Sequence, residues 1–315
     1  MNDFNKEPER LSIGLPIFNG ELFVHKAIES ILAQTFRNFE LIISDNASTD
    51  STREICEKFA EQDNRIRYFR QKSNIGIHKN FNFVLNQAKN EYFAWTAVDD
   101  HLDSDYMEKN IKILEDNKKI VSSVGKIIPI GTENLGIDPQ LIDTTQYPRL
   151  IKNYIKKSRR SKITDAIPIS GSNDQKIRML LKNTKSLGRF YGVHRTEQLK
   201  QCIVDTPFIN VEVAIFLNLI LLGDFHEETS TKLYEFDEGI SSRGIINMAK
   251  YSGHNWFGRL FPFYPYTNWC IKNLGFKTYL KNIDIFFRLN LGGQIALIID
   301  LIMVLKKNYN TKFNF

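Results

Sequence analysis

Three polar, acidic stretches in the first hundred residues hold the side chains best suited to chemistry. They are Pro16-Ile17-Phe18-Asn19-Gly20-Glu21, Asp45-Asn46-Ala47-Ser48-Thr49-Asp50 and Ala97-Val98-Asp99-Asp100-His101, and each follows an apolar segment. A carboxylate such as Asp45 can accept a hydrogen bond from a base N–H or a ribose hydroxyl. The pair Asp99 and Asp100 suits a hard divalent cation, which takes oxygen ligands and usually keeps water and phosphate oxygens as its others. Such a cation would neutralise a diphosphate leaving group. One acidic turn alone is more often a helix cap or a solvated loop; three at successive strand ends point to a ligand edge. No Gly-x-Gly-x-x-Gly follows the first apolar segment and no Gly-x-x-x-x-Gly-Lys occurs, which argues against a dinucleotide cofactor and a P-loop ATPase.

The surrounding pattern supplies the elements that would hold these stretches. Strands are predicted over residues 11–17, 39–44, 66–69, 91–96 and 120–128, alternating with helices over 21–34, from 51 onward, 77–88 and 103–115. In the first helix Val24, Ala27, Ile28, Ile31 and Leu32 fall at i, i+3, i+4, i+7 and i+8. Residues 39–44 form a nearly unbroken apolar run, as in a strand buried on both faces. Ser51 and Glu54 have the spacing of a capping box. This alternation predicts an α/β fold whose mainly parallel sheet is flanked by helices. Ligands then bind outside the carboxyl ends of the strands. Order loosens over 129–173, where a basic run from Arg149 to Lys162 reads most simply as a solvated loop. It returns with a strand at 189–193, a helix from Arg195 and a buried apolar helix over 211–222. The expected organisation is a polar N-terminus (1–10), an α/β domain (11–240, divided into 11–128 and 129–240) and a helical C-terminal extension (241–315).

In order, Leu15-Pro16-Ile17-Phe18-Asn19-Gly20, Ser30-Ile31-Leu32-Ala33-Gln34-Thr35, Glu40-Leu41-Ile42-Ile43-Ser44-Asp45-Asn46-Ala47-Ser48-Thr49-Asp50, Asn74-Ile75-Gly76 and Asp99-Asp100 resemble family 2 glycosyltransferases of the GT-A fold. The match in order and spacing covers roughly residues 11–116. The resemblance implies inverting transfer of a sugar from a nucleoside-diphosphate sugar, with UDP expected, to a hydroxyl of a glycan or lipid-linked glycan, assisted by Mg or Mn. It implies Pro16, Asn19 and Glu21 at the nucleoside pocket and Asp45 on the base. It places Asn74, Gly76 and Lys79, with Asn80 nearby, around the donor, and makes Asp99 the metal ligand with Asp100 beside it. Ala97 stands where the family's Asp-x-Asp motif has its first Asp, which motivates an alternative: a catalytically weak nucleotide-sugar or glycan-binding module. The segment from Gly188 to Arg195 resembles the family's lead into an acceptor-side helix, and counting back from Leu221-Leu222-Gly223 puts the general base at Glu212. A carboxylate on that apolar helix can have its pKa raised by desolvation; the simpler reading is a first-turn glutamate favoured by the helix dipole. Asp237-Glu238 falls where relatives carry a metal-completing histidine.

The bulk properties fit without choosing. The chain has 315 residues, 42% apolar and 25% charged, with a net charge of +6 that favours anionic partners. No nucleic-acid motif accompanies the basic residues, so nucleic acid is not expected as a partner. Cys56, Cys202 and Cys270 are far apart and odd in number, which reads as reduced thiols. The first ten residues lack the apolar stretch of a signal peptide. The longest apolar run, 291–305, falls short of the roughly 20 residues a spanning helix needs. A cytoplasmic protein is expected, with the C-terminal helices packed on the domain or resting on the inner face of a membrane.

Overall fold

The computed structural model describes residues 9–130, 167–183, 187–236 and 244–313, with side chains described as far as Leu305. The basic run Arg149 to Lys162 and the pair Asp237-Glu238 lie outside the described residues.

The first half alternates strand and helix: β1 (Leu11–Ile17), α1 (Val24–Leu32), β2 (Phe39–Asp45), α2 (Thr52–Gln62), β3 (Ile66–Arg70), α3 (Ile77–Gln87), β4 (Tyr92–Trp95), β5 (His101–Leu102), α4 (Tyr106–Asp116) and β6 (Ile120–Ile130). Then come α5 (Asn173–Lys182), a 3-10 turn (Leu187–Tyr191), β7 (Val193–Arg195), α6 (Thr196–Lys200), α7 (Val211–Leu219) and β8 (Asp224–Phe236). The chain continues in helices: α8 (Ile245–Tyr251), α9 (Trp256–Leu260), α10 (Tyr264–Leu274), α11 (Phe276–Lys281) and α12 (Ile283–Phe313). The eight strands form one sheet in the order β3-β2-β1-β4-β7-β6-β8-β5. β1 pairs parallel with β2 and β4, β2 with β3, and β6 with β8, while β7 and β5 run antiparallel to their neighbours. The carboxyl ends of β1, β2, β3, β4, β6 and β8 therefore share one edge.

Every residue of β1 and β2 is buried, because helices cover both faces of the sheet. Phe39, Leu41, Ile43, Tyr92 and Ala94 join one core with α1, α2 and α4; Ile42, Phe93 and Trp95 face the other with α3, α5 and α7. This is the period-2 alternation of a pleated strand. A Cβ on Gly14 would sit 2.7 Å from Val84 Cγ2 and 2.8 Å from Phe93 Cζ, so the close seat of α3 on β1 requires glycine there. Tyr266, Cys270 and Phe286 share the core of α7, tying the C-terminal helices to the sheet domain. All three cysteines are buried and unpaired.

Three expectations need correction, and one strand, β8, carries no apolar run that would announce it. Ser51 does not cap α2 through its side chain: the Thr52 N–H donates to Asp50 Oδ1 (3.1 Å) and the Ser51 N–H to Glu21 Oε2 (3.0 Å), so residues of the two site loops satisfy the helix start. The strand expected at 189–193 begins at Val193, because residues 187–191 coil to send Phe190 into the core. The charged residues of β8, DFHEETSTKLYEF, break the apolar pattern along the strand. The run at 291–305 is part of a longer helix that starts at Ile283 and continues through Arg288, Asn290 and Gly292-Gly293. Its 23-residue stretch Ile283–Leu305 is long and apolar enough to cross a membrane by length and composition, and only 17% of its most apolar window is buried, so it packs on the domain along one side and leaves the other exposed.

Candidate active site

The loops after β1 and β2 are laced together. The Asn19 N–H donates to Ser48 Oγ (2.9 Å), and Asn19 Oδ1 accepts from the Thr49 N–H (2.9 Å). The Gly20 N–H donates to Thr52 Oγ1 (2.8 Å) and the Glu21 N–H to Asp50 Oδ2 (3.1 Å). Among the described residues, only three non-glycine residues have left-handed backbone: Asn19 (φ 51°), Ala47 (φ 61°) and Asn210 (φ 70°). Two lie in these laced loops and the third begins the helix that carries Glu212. For Ala47 that conformation costs about 1–2 kcal/mol. Such cost clusters where a site fixes the backbone.

Asp45 is fully buried at the end of β2. Its Oδ1 accepts from the Ser48 N–H (2.8 Å), and its Oδ2 from Tyr68 OH (2.9 Å) and Arg70 Nη1 (2.5 Å). Arg70 also donates to the Ser48 carbonyl (3.0 Å). Burial, and then the bond to Asp45, push the Tyr68 phenol well above its ordinary value. A base contact by Asp45 would have to displace one of these partners. Pro16 is buried beside it. Asn46 holds the next loop: its Nδ2 donates to Asn74 Oδ1 (3.1 Å) and its Oδ1 accepts from the Ile75 N–H (2.8 Å). Gly76, at φ 87°, opens α3. Asn80 is buried with its amide bonded to Ser44, whereas Asn74 and Lys79 are exposed at the rim.

The third stretch is shaped by β5, which folds back to pair with β8 as His101↔Tyr234. Asp100 is 7% exposed. Its Oδ1 accepts from the Phe236 N–H (3.0 Å), and its Oδ2 has no hydrogen-bond partner. Burial raises the Asp100 carboxyl well above its usual value, and the charges of Asp99 and Glu235 push it further. Burial raises the partly buried Asp99 as well. A small cavity of about 10 Å³, the size of one water, is lined in part by Ser30, Thr96, Asp100 and Tyr191. Glu212 sits in the first turn of α7, partly buried, with burial raising its carboxyl. One residue relates these groups. The Tyr191 phenol is raised first by burial and then by the charges of Asp100, Asp99, Glu235 and Glu212. Tyr191 was not singled out from sequence, although it lies inside the Gly188 to Arg195 segment.

The donor set fits a hard divalent cation. An orphaned buried carboxylate oxygen beside further carboxylates is what an oxygen-ligated ion would relieve. Among the described residues no group of three or more His, Cys, Asp or Glu could enclose an ion alone.

Comparison with known proteins decides the kinship. The description "Glycosyl transferase family 2" matches residues 12–177, more than half the chain. The chain belongs to glycosyl transferase family 2. Glycosyltransferase GlyG of Streptococcus pneumoniae serotype 4 is 36% identical over 100 residues, 32% of this chain and 33% of that protein. GlyA of the same organism is 34% identical over 100 residues, which are 14% of its length. A GalNAc(5)-diNAcBac-PP-undecaprenol beta-1,3-glucosyltransferase of Campylobacter jejuni is 37% identical over 94 residues, 30% of each chain. The chain thus matches a third or less of the length of these relatives. Among solved structures, the mannosyltransferase PcManGT from Pyrobaculum calidifontis with GDP-Man and Mn2+ superposes with a TM-score of 0.54 at 12% identity, over 96% of this chain and 76% of that one. S. aureus TarS 1-349 with UDP-GlcNAc gives 0.53 at 17% identity, over 77% and 64%. These likenesses establish the GT-A fold for this family 2 member.

Proposed function

We propose that the protein is an inverting, metal-assisted glycosyltransferase that moves a sugar from a nucleoside-diphosphate sugar, a UDP-sugar in the first instance, to a hydroxyl of a glycan or lipid-linked glycan. The observation that carries this reading is the orphaned carboxylate oxygen of Asp100 beside Asp99 and Glu235, at the strand edge of a family 2 chain. Relatives support the substrate classes: TarS is solved with UDP-GlcNAc, PcManGT with GDP-Man and Mn2+, and the Campylobacter jejuni relative is named for an undecaprenol-linked glycan. A cytoplasmic setting suits a soluble nucleotide-sugar donor.

In this reading Asp99 holds the divalent ion, Mg or Mn, and Asp100 supports it from the buried side. The ion, when bound, neutralises the charge that develops on the departing diphosphate. The laced loops carrying Pro16, Asn19, Glu21 and Asp45 hold the nucleoside, and Asn74, Gly76 and Lys79 border the donor. Glu212 accepts the proton of the acceptor hydroxyl as it attacks the anomeric carbon; its raised carboxyl makes it a better base than an exposed glutamate. The bond between the anomeric carbon and the phosphate oxygen breaks, the nucleoside diphosphate leaves with that electron pair, and the configuration inverts. The test is turnover of UDP-sugars with Mn by wild type and Glu212→Gln. The variant should lose on the order of 10²–10⁴ in kcat and keep donor affinity. Full rate in the variant would remove Glu212 from the chemistry, and no transfer by wild type from any nucleotide sugar would favour the binding-module alternative that Ala97 motivates.

A further inference from the structure

Away from the strand edge, the outer face of the C-terminal helices is the largest feature without a role. α12 turns Phe286, Gly293, Leu297 and Asp300 inward, and Asp300 accepts from the Ile246 N–H (3.1 Å). Its other side presents Phe287 (67% exposed), Leu291, Ile295, Ile298, Ile302 and Leu305 to solvent. These positions advance by three or four residues and form one stripe. The bond from Gln294 Nε2 to the Leu260 carbonyl (3.0 Å) sets α9 beside α12, with Trp256 73% exposed and Leu260, Phe261 and Tyr264 also exposed. Exposed Phe276 and Leu280 on α11 precede the stripe. The inner side of α12 is covered by the body, whereas the apolar outer side has no cover among the described residues, and an apolar helix face calls for one.

Charge identifies the occupant. Residues 244–315 contain nine Lys and Arg against two Asp, a formal +7 beside +6 for the whole chain. Both acids are engaged: Asp284 pairs with Arg178 (3.0 Å), and Asp300 faces inward. Arg259, Lys277 and Arg288 are exposed on the same helices, and Lys272 is exposed on the neighbouring α10. Apolar stripe, flanking cations and edge Trp and Tyr together are the chemistry of a protein lying in the interface of an anionic bilayer. A second copy docked across a two-fold axis would set these like charges against one another.

We propose that the outer face of α9, α11 and α12 docks the protein on an anionic phospholipid surface. It lies in the interface and does not cross, because the inner side of α12 is held to the body through Phe286, Leu297 and Asp300. The proposal stands apart from the transferase reading, since docking needs no donor.

The test is sedimentation of the full chain with vesicles of phosphatidylcholine alone and with about one-third phosphatidylglycerol. Wild type should bind the anionic vesicles and bind the neutral ones far more weakly. Each basic side chain near such a surface is worth about fivefold in partition, so Lys277→Gln with Arg288→Gln should weaken binding about twenty-five-fold. Phe287→Glu with Ile298→Glu, at exposed positions, should abolish it while leaving the melting temperature unchanged. No binding to anionic vesicles, or equal binding by both variants, overturns the proposal. So does a dimer in solution that both apolar substitutions dissociate and that hides the face from vesicles.

Discussion

Replacing Asp100 by asparagine should stabilise the metal-free protein. Asp100 carries one oxygen satisfied by the Phe236 N–H and one with no partner, in a buried place beside Asp99 and Glu235. Asparagine keeps the volume and the acceptor for Phe236, removes a charge and supplies donors. Relief of an unsatisfied buried polar group is worth about 1–3 kcal/mol. At about 2 °C per kcal/mol for a chain of this size, the melting temperature should rise by about 2–6 °C. The pH dependence follows from the sign of the shift. The folded carboxyl titrates above its unfolded value, so its contribution to stability is fully present below about pH 3.9 and is lost as pH rises through the folded value. Asparagine has no such loss, so the gain should be small in acid and grow as pH rises through the folded value. The assay is thermal unfolding of both proteins in EDTA across that range. A variant that melts lower than wild type at pH 8, or a difference independent of pH, would make Asp100 a structural acceptor and refute the reasoning.

Other perturbations probe the frame around the site. Phe190 is buried, stacked on Trp95 at 4.2 Å and edge-on to Phe216 at 6.0 Å; Phe190→Ala should cost about 3–5 kcal/mol in denaturant unfolding and loosen the turn that positions Tyr191. His194 is fully buried with Nδ1 unpartnered, and burial pushes it down to about 4. Its folded value lies below the unfolded one, so stability is full above pH 6.5 and falls by about 3 kcal/mol as pH drops to 4; His194→Phe should flatten that acid limb in pH-dependent unfolding.

The strand edge was legible in sequence because its signals are local. Buried parallel strands read as apolar runs, as residues 39–44 do, and the polar residues that follow them declare the ligand side. The remainder depends on distant partners. Glu21 reaches the start of α2 only because the β1 and β2 loops are brought together, and Asp50 bonds Thr52 from two residues before it, a pairing the Ser51–Glu54 spacing does not show. β8 alternates charged and buried residues, as Leu233 and Phe236 show between Lys232, Glu235 and Tyr234, and its partner β6 lies about a hundred positions away. Tyr191 shares a small cavity with Asp100 through folding alone, since the two are about ninety positions apart in sequence. α12 was cut short by its internal Arg288, Asn290 and glycines, which a helix tolerates when one side faces the body.

The central claim is a donor site completed by a divalent ion at Asp99. Titration calorimetry of UDP and UDP-sugars, with Mn and with EDTA, on wild type and Asp99→Ala tests it most directly. Binding that requires Mn in wild type and is lost in the variant is the expected result. Equal binding with and without Mn, or an Asp99→Ala variant that keeps the Mn-dependent affinity, would contradict it.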